Sequence, residues 1–190
     1  MNNIRLTERV HETLSEFITA GDSVVDATAG NGYDTLFLAE QVGDKGRVYA
    51  IDIQQRAVDS ARQLVQDAGL EHRVEWFCAS HAELGKLIAP EYQQTIKAVV
   101  FNLGYLPGSD KSIQTKAATT LSALSQAYAL LSPGGALSVM AYPGHAGGEQ
   151  ETKAVKDWFD SLTINYTLLI PDSQHATAPH WFWLVKSPQD

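Results

Sequence analysis

The sequence predicts an α/β fold: a mostly parallel, seven-stranded sheet with helices on both faces and an antiparallel pair at one edge. Three observations predict it. Apolar strand-like runs alternate with segments of helical spacing through residue 163. Two strongly apolar runs, 164–170 and 180–186, then follow with no helix fitting between them, which reads as the antiparallel pair. The length, 190 residues, suits one domain. The expected organisation is therefore a single domain over 1–190, with a helix in residues 1–20 packed on it.

Taken in order, Leu6, Val10, Leu14 and Phe17 give residues 5–19 the stripe of an amphipathic helix. Residues 23–28 form a short strand that runs into a glycine-containing loop. Residues 34–42 read as a helix with Asp34 at its start, where an acid is favoured. After a turn at 43–46, residues 47–52 form the second strand. Val58, Ala61, Val65 and Ala68 give the next helix its apolar face. Strand three covers 73–78, a short helix lies near 81–88, and strand four covers 97–102. Leu121, Leu124, Tyr128 and Leu131 stripe another helix, which the Ser-Pro-Gly-Gly of 132–135 stops before strand five at 136–142. Val155, Trp158, Phe159 and Leu162 mark the last helix.

Composition narrows the function. Hydrophobic residues make up 44% and charged residues 19%, so a packed core is expected. A net charge of -8 excludes a globally basic nucleic-acid binder, though not a local basic patch. The lone cysteine, Cys78, has no intramolecular partner, and no Cys/His cluster has zinc spacing. The amino terminus lacks a signal-like apolar run, and no stretch approaches the ~18 apolar residues of a membrane span. The expectation is a cytoplasmic protein with no metal and no membrane partner.

Ligands of such sheets sit beyond the carboxyl ends of the strands, so the loops there carry the chemistry. The first runs Asp26-Ala27-Thr28-Ala29-Gly30-Asn31-Gly32. Gly30 and Gly32 let the backbone turn tightly and let a ligand approach it. Asp52 ends strand two, where an acid can accept both hydroxyls of a ribose. Either a dinucleotide or S-adenosylmethionine fits that layout. The third small residue of the dinucleotide fingerprint is missing, because Thr35 follows. Asp26 would repel a pyrophosphate, and Asp34 would compete with a phosphate for the helix end. An ammonium and a sulfonium suit these acids better. A plain strand–turn–helix with capping acids is the duller alternative. Ser80 and His81 follow strand three at the same sheet edge, with a capping role as the alternative for the histidine.

Asn102-Leu103-Gly104-Tyr105 ends strand four and resembles the Asn-Pro-Pro-Tyr motif of amine-methylating enzymes, with Leu-Gly replacing Pro-Pro. The Asn102 oxygen and the Leu103 carbonyl can accept N–H bonds from an amine and aim its lone pair. Tyr105 can stack on a flat base. An ordinary turn is the alternative. Residues 107–111 extend this loop, and Lys111 and Lys116 are candidates for phosphates, against a plain solvated loop. His145, in the loop after strand five, can help remove a proton or contact substrate, or is a turn residue. Asn102, Tyr105 and His145 are the candidate catalytic residues, and His180 is a weaker pocket candidate.

The Leu-x-Pro-Gly-Gly turn before strand five resembles that of Rossmann-like methyltransferases, and the runs 26–39, 101–111 and 142–148 resemble the YtqB-like rRNA methylase family, associated with MnmM-type tRNA methyltransferases. The resemblance covers about residues 5–165. It implies a Rossmann-like, class I fold and S-adenosylmethionine as donor. It also implies methylation of the aminomethyl group of 5-aminomethyl-2-thiouridine at the tRNA wobble position. By that resemblance Asn31, Tyr33, Asp52, Gln54, Ser80 and His81 fall where the family binds the donor. Ile53 lies beside Asp52, and Asn102 serves both ligands. The partner implied is the tRNA anticodon stem-loop, and a homodimer is the family-level expectation. Arg5, Arg9, Lys111, Lys116, Lys153 and Lys156 are the candidate RNA contacts. The tail over 170–187 departs from the family, with Ser173-Gln174 and a single Pro179. Methylation of rRNA or of a small amine, a donor-binding module without catalysis, and a nicotinamide oxidoreductase are the competing readings.

Overall fold

A computed structural model describes residues 6–106, 108, 113–171 and 177–188. Seven strands form one sheet: β1 (Ser23–Asp26), β2 (Arg47–Asp52), β3 (Val74–Cys78), β4 (Ile96–Asn102), β5 (Leu131–Ala141), β6 (Tyr166–Leu169) and β7 (His180–Val185). Their order across the sheet is β3-β2-β1-β4-β5-β7-β6. Pairing is parallel from β3 to β5, and only β7 runs against its neighbours. The helices are α1 (Leu6–Phe17), α2 (Tyr33–Val42), α3 (Gln55–Asp67), α4 (Leu84–Leu87), α5 (Ala117–Leu130) and α6 (Gly148–Ser161), with short 3-10 turns between.

Period-two alternation divides the strand side chains between two cores. Val25, Ile51, Val99, Phe101, Leu137 and Phe182 face one side, with Leu124 of α5 and Phe159 of α6. Val24, Val48, Ala50, Ala98, Val100 and Trp181 face the other, with Leu38 of α2 and Val10 and Leu14 of α1. Burial on both faces explains why these strands read as unbroken apolar runs.

The expected elements form within a few residues of the sequence boundaries, with one correction. The Ser-Pro-Gly-Gly segment does not separate α5 from β5, because β5 already begins at Leu131. Leu131 pairs with Ile96, and the register then shifts before Ala98 meets Ala136. The Lys186 carbonyl accepts from the Gly134 N–H, and the Lys186 N–H donates to the Gly135 carbonyl. The backbone of these turn-type residues is thus captured by the end of β7. A Cβ on Gly135 would stand 2.9 Å from the Ile96 and Ser132 carbonyl oxygens, so the close approach requires glycine.

The strand order reverses between β1 and β4, which leave the sheet side by side and diverge in connectivity. This is the switch point at which open α/β sheets take ligands. The Asn102 N–H, at the end of β4, donates to Thr28 Oγ1, just past β1, at 2.7 Å. The two loops with the strongest sequence signals are therefore tied together.

Candidate active site

A cavity of about 1310 Å³ opens at the carboxyl end of the sheet. The loop after β1 supplies Thr28, Gly30, Asn31 and Tyr33 to its wall, and the end of β2 supplies Asp52, Ile53 and Gln54. Ser80 and His81 line it after β3, and Asn102, Leu103, Gly104 and Tyr105 after β4. His145 lines it after β5. Five loops read separately in the sequence thus converge on one space.

Two expected residues stand behind this wall. Asp26 is buried beneath the first loop, where its carboxylate accepts from Thr35 Oγ1 at 2.6 Å and from the Thr28 N–H at 3.2 Å. Burial, and then the negative charge of Asp34, push its carboxyl up to about 7. Asp26 braces the loop and does not line the cavity. Gly32 does not line it either. Its φ is +86°, and a Cβ there would lie 2.6 Å from the Ala61 Cα. Its missing side chain lets α2 start hard against α3, whereas a ligand's approach is served by Gly30.

Asp52 is already held by the backbone. Its Oδ2 accepts from the Gly30 N–H at 2.9 Å and its Oδ1 from the Gln54 N–H at 2.8 Å. Each carboxylate oxygen keeps a second lone pair, so the group is fixed in place and still able to accept. Tyr33 and Ile53 are exposed on the cavity side of their loops. Ser80 caps the turn that follows, accepting from the Ala82 N–H at 3.2 Å. Burial pushes the neighbouring His81 down to about 4, so its ring is neutral, and its buried Nε2 has no partner in the protein.

On the β4 side, Asn102 Nδ2 donates to the Asp34 carboxylate. Tyr105 meets the His145 ring edge-on, with centroids 5.8 Å apart. His145 Nδ1 lies 3.1 Å from both Gln114 Oε1 and the Ala146 carbonyl. Both are acceptors, so Nδ1 carries the proton and Nε2 bears the lone pair. That Nε2 is buried without a protein partner and faces Gly104. Gln114 is itself oriented, because its Nε2 donates to the Ala146 carbonyl at 2.8 Å.

Several residues of the site were not read from the sequence. His11 and Thr7 of α1 line the cavity, as does Asp34. Asp34 was expected as a helix-start acid suited to a cationic ligand; its tie to α1, with Oδ1 2.6 Å from His11 Nε2, was not. Buried Glu151 of α6 accepts from Thr115 Oγ1 at 2.7 Å and from Thr120 Oγ1 at 2.6 Å. Thr115 Oγ1 in turn accepts from the Gly104 N–H at 2.7 Å. A buried glutamate thereby clamps the Asn102 loop. Thr177 brings the divergent tail to the cavity, against Gly144. His180 does not line it. Lys116 does, whereas Lys153 and Lys156 pair with Asp157 and Asp160 along α6 at 2.5 Å each. Arg5, Pro107, Ser109, Asp110, Lys111, Ser173 and Gln174 lie outside the described residues.

The family model described as Putative rRNA methylase matches residues 48–180. The chain belongs to this family. A second model, for protein-L-isoaspartate (D-aspartate) O-methyltransferase, matches residues 2–90. A crystal structure of an rRNA methylase of this description from Clostridium thermocellum is 36% identical, with a TM-score of 0.89 over 95% of this chain and 96% of that one. A Streptococcus mutans protein described as a methyltransferase, crystallised with SAH, is 31% identical, with a TM-score of 0.84 over 96% and 98%. An Arabidopsis thaliana protein named tRNA (mnm(5)s(2)U34)-methyltransferase, chloroplastic, is 41% identical over 85% of this chain, which spans 61% of that relative's length. Among the described residues, no helix is long and apolar enough to cross a membrane.

Proposed function

We propose that the chain is an S-adenosylmethionine-dependent N-methyltransferase acting on the aminomethyl group of 5-aminomethyl-2-thiouridine at the tRNA wobble position. The observation that carries this reading is the convergence of Asp52, Asp34 and the Asn102 amide on one cavity. The name of the Arabidopsis relative supports the acceptor, and SAH in the Streptococcus mutans structure supports the donor.

The residues fit that donor. Asp52 offers fixed acceptors for ribose hydroxyls. The His81 ring is neutral and its buried Nε2 is a polar atom that no protein group satisfies, which suits the polar edge of a purine. Asp34 supplies negative charge for a cation, and Gly30 admits a close approach. When bound, S-adenosylmethionine supplies an electrophilic methyl group on a sulfonium.

The remaining work belongs to side chains of the chain itself. An alkylammonium has no lone pair, so the amine must lose a proton before it can react. His145 lines the same cavity and is the imidazole we assign to that proton. Asn102 Oδ1 and the Leu103 carbonyl accept the remaining N–H bonds and set the direction of attack. Tyr105 offers an aromatic surface to an anticodon base, which is already unpaired and easily splayed. Lys116, at the cavity wall, offers a phosphate contact. The cytoplasm is the compartment we propose, because an exposed, unpaired Cys78 suits a reducing one.

The test is methyl transfer from labelled donor to tRNA bearing the unmethylated aminomethyl group, with wobble nucleosides read by mass spectrometry. The methylated wobble nucleoside is the expected product. Label appearing only in rRNA or only in a small amine would overturn the acceptor, and donor binding with no transfer to any RNA would overturn the activity.

A further inference from the structure

An asparagine can steer an amine only when its oxygen, and not its nitrogen, faces the ligand. The two ends of the amide are nearly the same shape, so a neighbour has to choose between them. Here that neighbour is Asp34. A carboxylate at neutral pH only accepts, so the bond between Asn102 Nδ2 and Asp34 Oδ2 pins the nitrogen on the Asp34 side and turns Oδ1 away from it. Asp34 has its own anchor in His11 Nε2, 2.6 Å from its other oxygen. The His11 ring lies flat on Phe37, with centroids 4.0 Å apart and planes 2° from parallel. Phe37 sits three residues after Asp34 on α2, so one helix turn holds both the carboxylate and the shelf for the imidazole. The chain of contacts therefore runs from α1 through α2 to the end of β4, and all three polar residues line the cavity.

We infer that His11 and Asp34 form a positioning pair that fixes the Asn102 amide with its oxygen toward the acceptor amine. The inference rests on the reading of the cavity as an amine-methylating site. His11 acts as a hydrogen-bond donor to Asp34, and no proton of the reaction passes through it. A helix that precedes the first strand thereby contributes to the geometry of the reacting nitrogen.

Three variants of the full chain test this: His11→Leu, His11→Gln and Asp34→Asn. Steady-state methyl transfer to tRNA is measured beside donor affinity by calorimetry. The Asn102 side-chain amide resonance, assigned by its loss in Asn102→Ala, gives a readout independent of turnover. His11→Leu is expected to lower kcat by about ten- to a hundredfold, the scale of a misplaced reacting group, with donor affinity changed less than about twofold. His11→Gln places an amide N–H where Nε2 stood and is expected to recover most of that loss. The Asn102 resonance should be alike in the wild-type protein and His11→Gln, and displaced in Asp34→Asn. A glutamine variant as slow as the leucine variant, or an Asn102 resonance unmoved by Asp34→Asn, would overturn the pair. If the wild-type protein methylates no tRNA, the proposed function falls, and the resonance alone then decides the orientation of the amide.

Discussion

Asp52 and Asn102 face the same cavity from opposite sides of the switch point, and their roles separate experimentally. Asp52→Ala removes the acceptor offered to a ribose and frees the Gly30 and Gln54 N–H groups. Donor affinity measured by calorimetry should fall by about ten- to a hundredfold, the scale of hydrogen bonds to a charged group. Asn102→Ala should leave that affinity within about threefold while depressing kcat. Asp26 makes a different prediction. Its carboxyl rises from 3.8 in the unfolded chain to about 7 in the folded one, so between those values the folded state holds more protons. Its contribution to stability is therefore greatest at low pH and is lost as pH rises through about 7. Asp26→Asn cannot ionise. In urea titrations its stability relative to wild type should improve from pH 5 to about pH 7 and level off above it, and a constant difference throughout would sink this account. Asp26, like Asp52, was legible as an acid near a glycine loop. Its burial behind the wall was not, because sequence does not say which side of a loop a side chain takes.

At the scale of elements, strands were legible because apolar runs report burial on both faces, and helices because stripes report one. The Leu131–Ala141 strand was misread at its start, since Pro133 and two glycines signal a turn while the end of β7 supplies partners only tertiary structure reveals. The contribution of α1 to the site was illegible for a similar reason. Thr7 and His11 stand one turn apart beside the Val10–Leu14 stripe, and only packing on α2 brings them to the cavity. Where α2 meets α3, Gly32 supports a sharp prediction. Its Gly32→Ala variant places a methyl 2.6 Å from the Ala61 Cα at a positive φ, so the helices must separate. A loss of about 2–4 kcal/mol in urea unfolding is expected, with weaker donor binding because Gly30 and Asn31 shift along with the helix start.

For the whole molecule, a net charge of -8 sets the terms on which an RNA can be held. The overall charge offers an RNA no attraction, so the proposed function asks for a few cations placed at the cavity. Lys116 lines it, and Arg56 donates at 3.2 Å to the carbonyl of Gly108, which lines it too. Lys153 and Lys156 are neutralised by their own helix. Lys116→Ala should weaken tRNA binding and reduce the slope of log affinity against log salt by about 0.7–0.9, one phosphate contact, without altering donor affinity. Charge counting could nominate lysines, but only the fold could show which ones already had partners.

The crossing of the last two strands bears on how the molecule is made. β6 precedes β7 in the chain, yet β7 lies between β6 and β5. While a ribosome is still holding residues 180–185, the segment before them has nowhere to dock, and the far flank of β5 stands bare. Phe182, stacked on Phe159, arrives after the other six strands and closes the hydrophobic face beneath α6. Completion of the sheet is thus deferred until β7 has emerged, and a nascent chain stalled short of that point presents an unpaired ribbon to its neighbours.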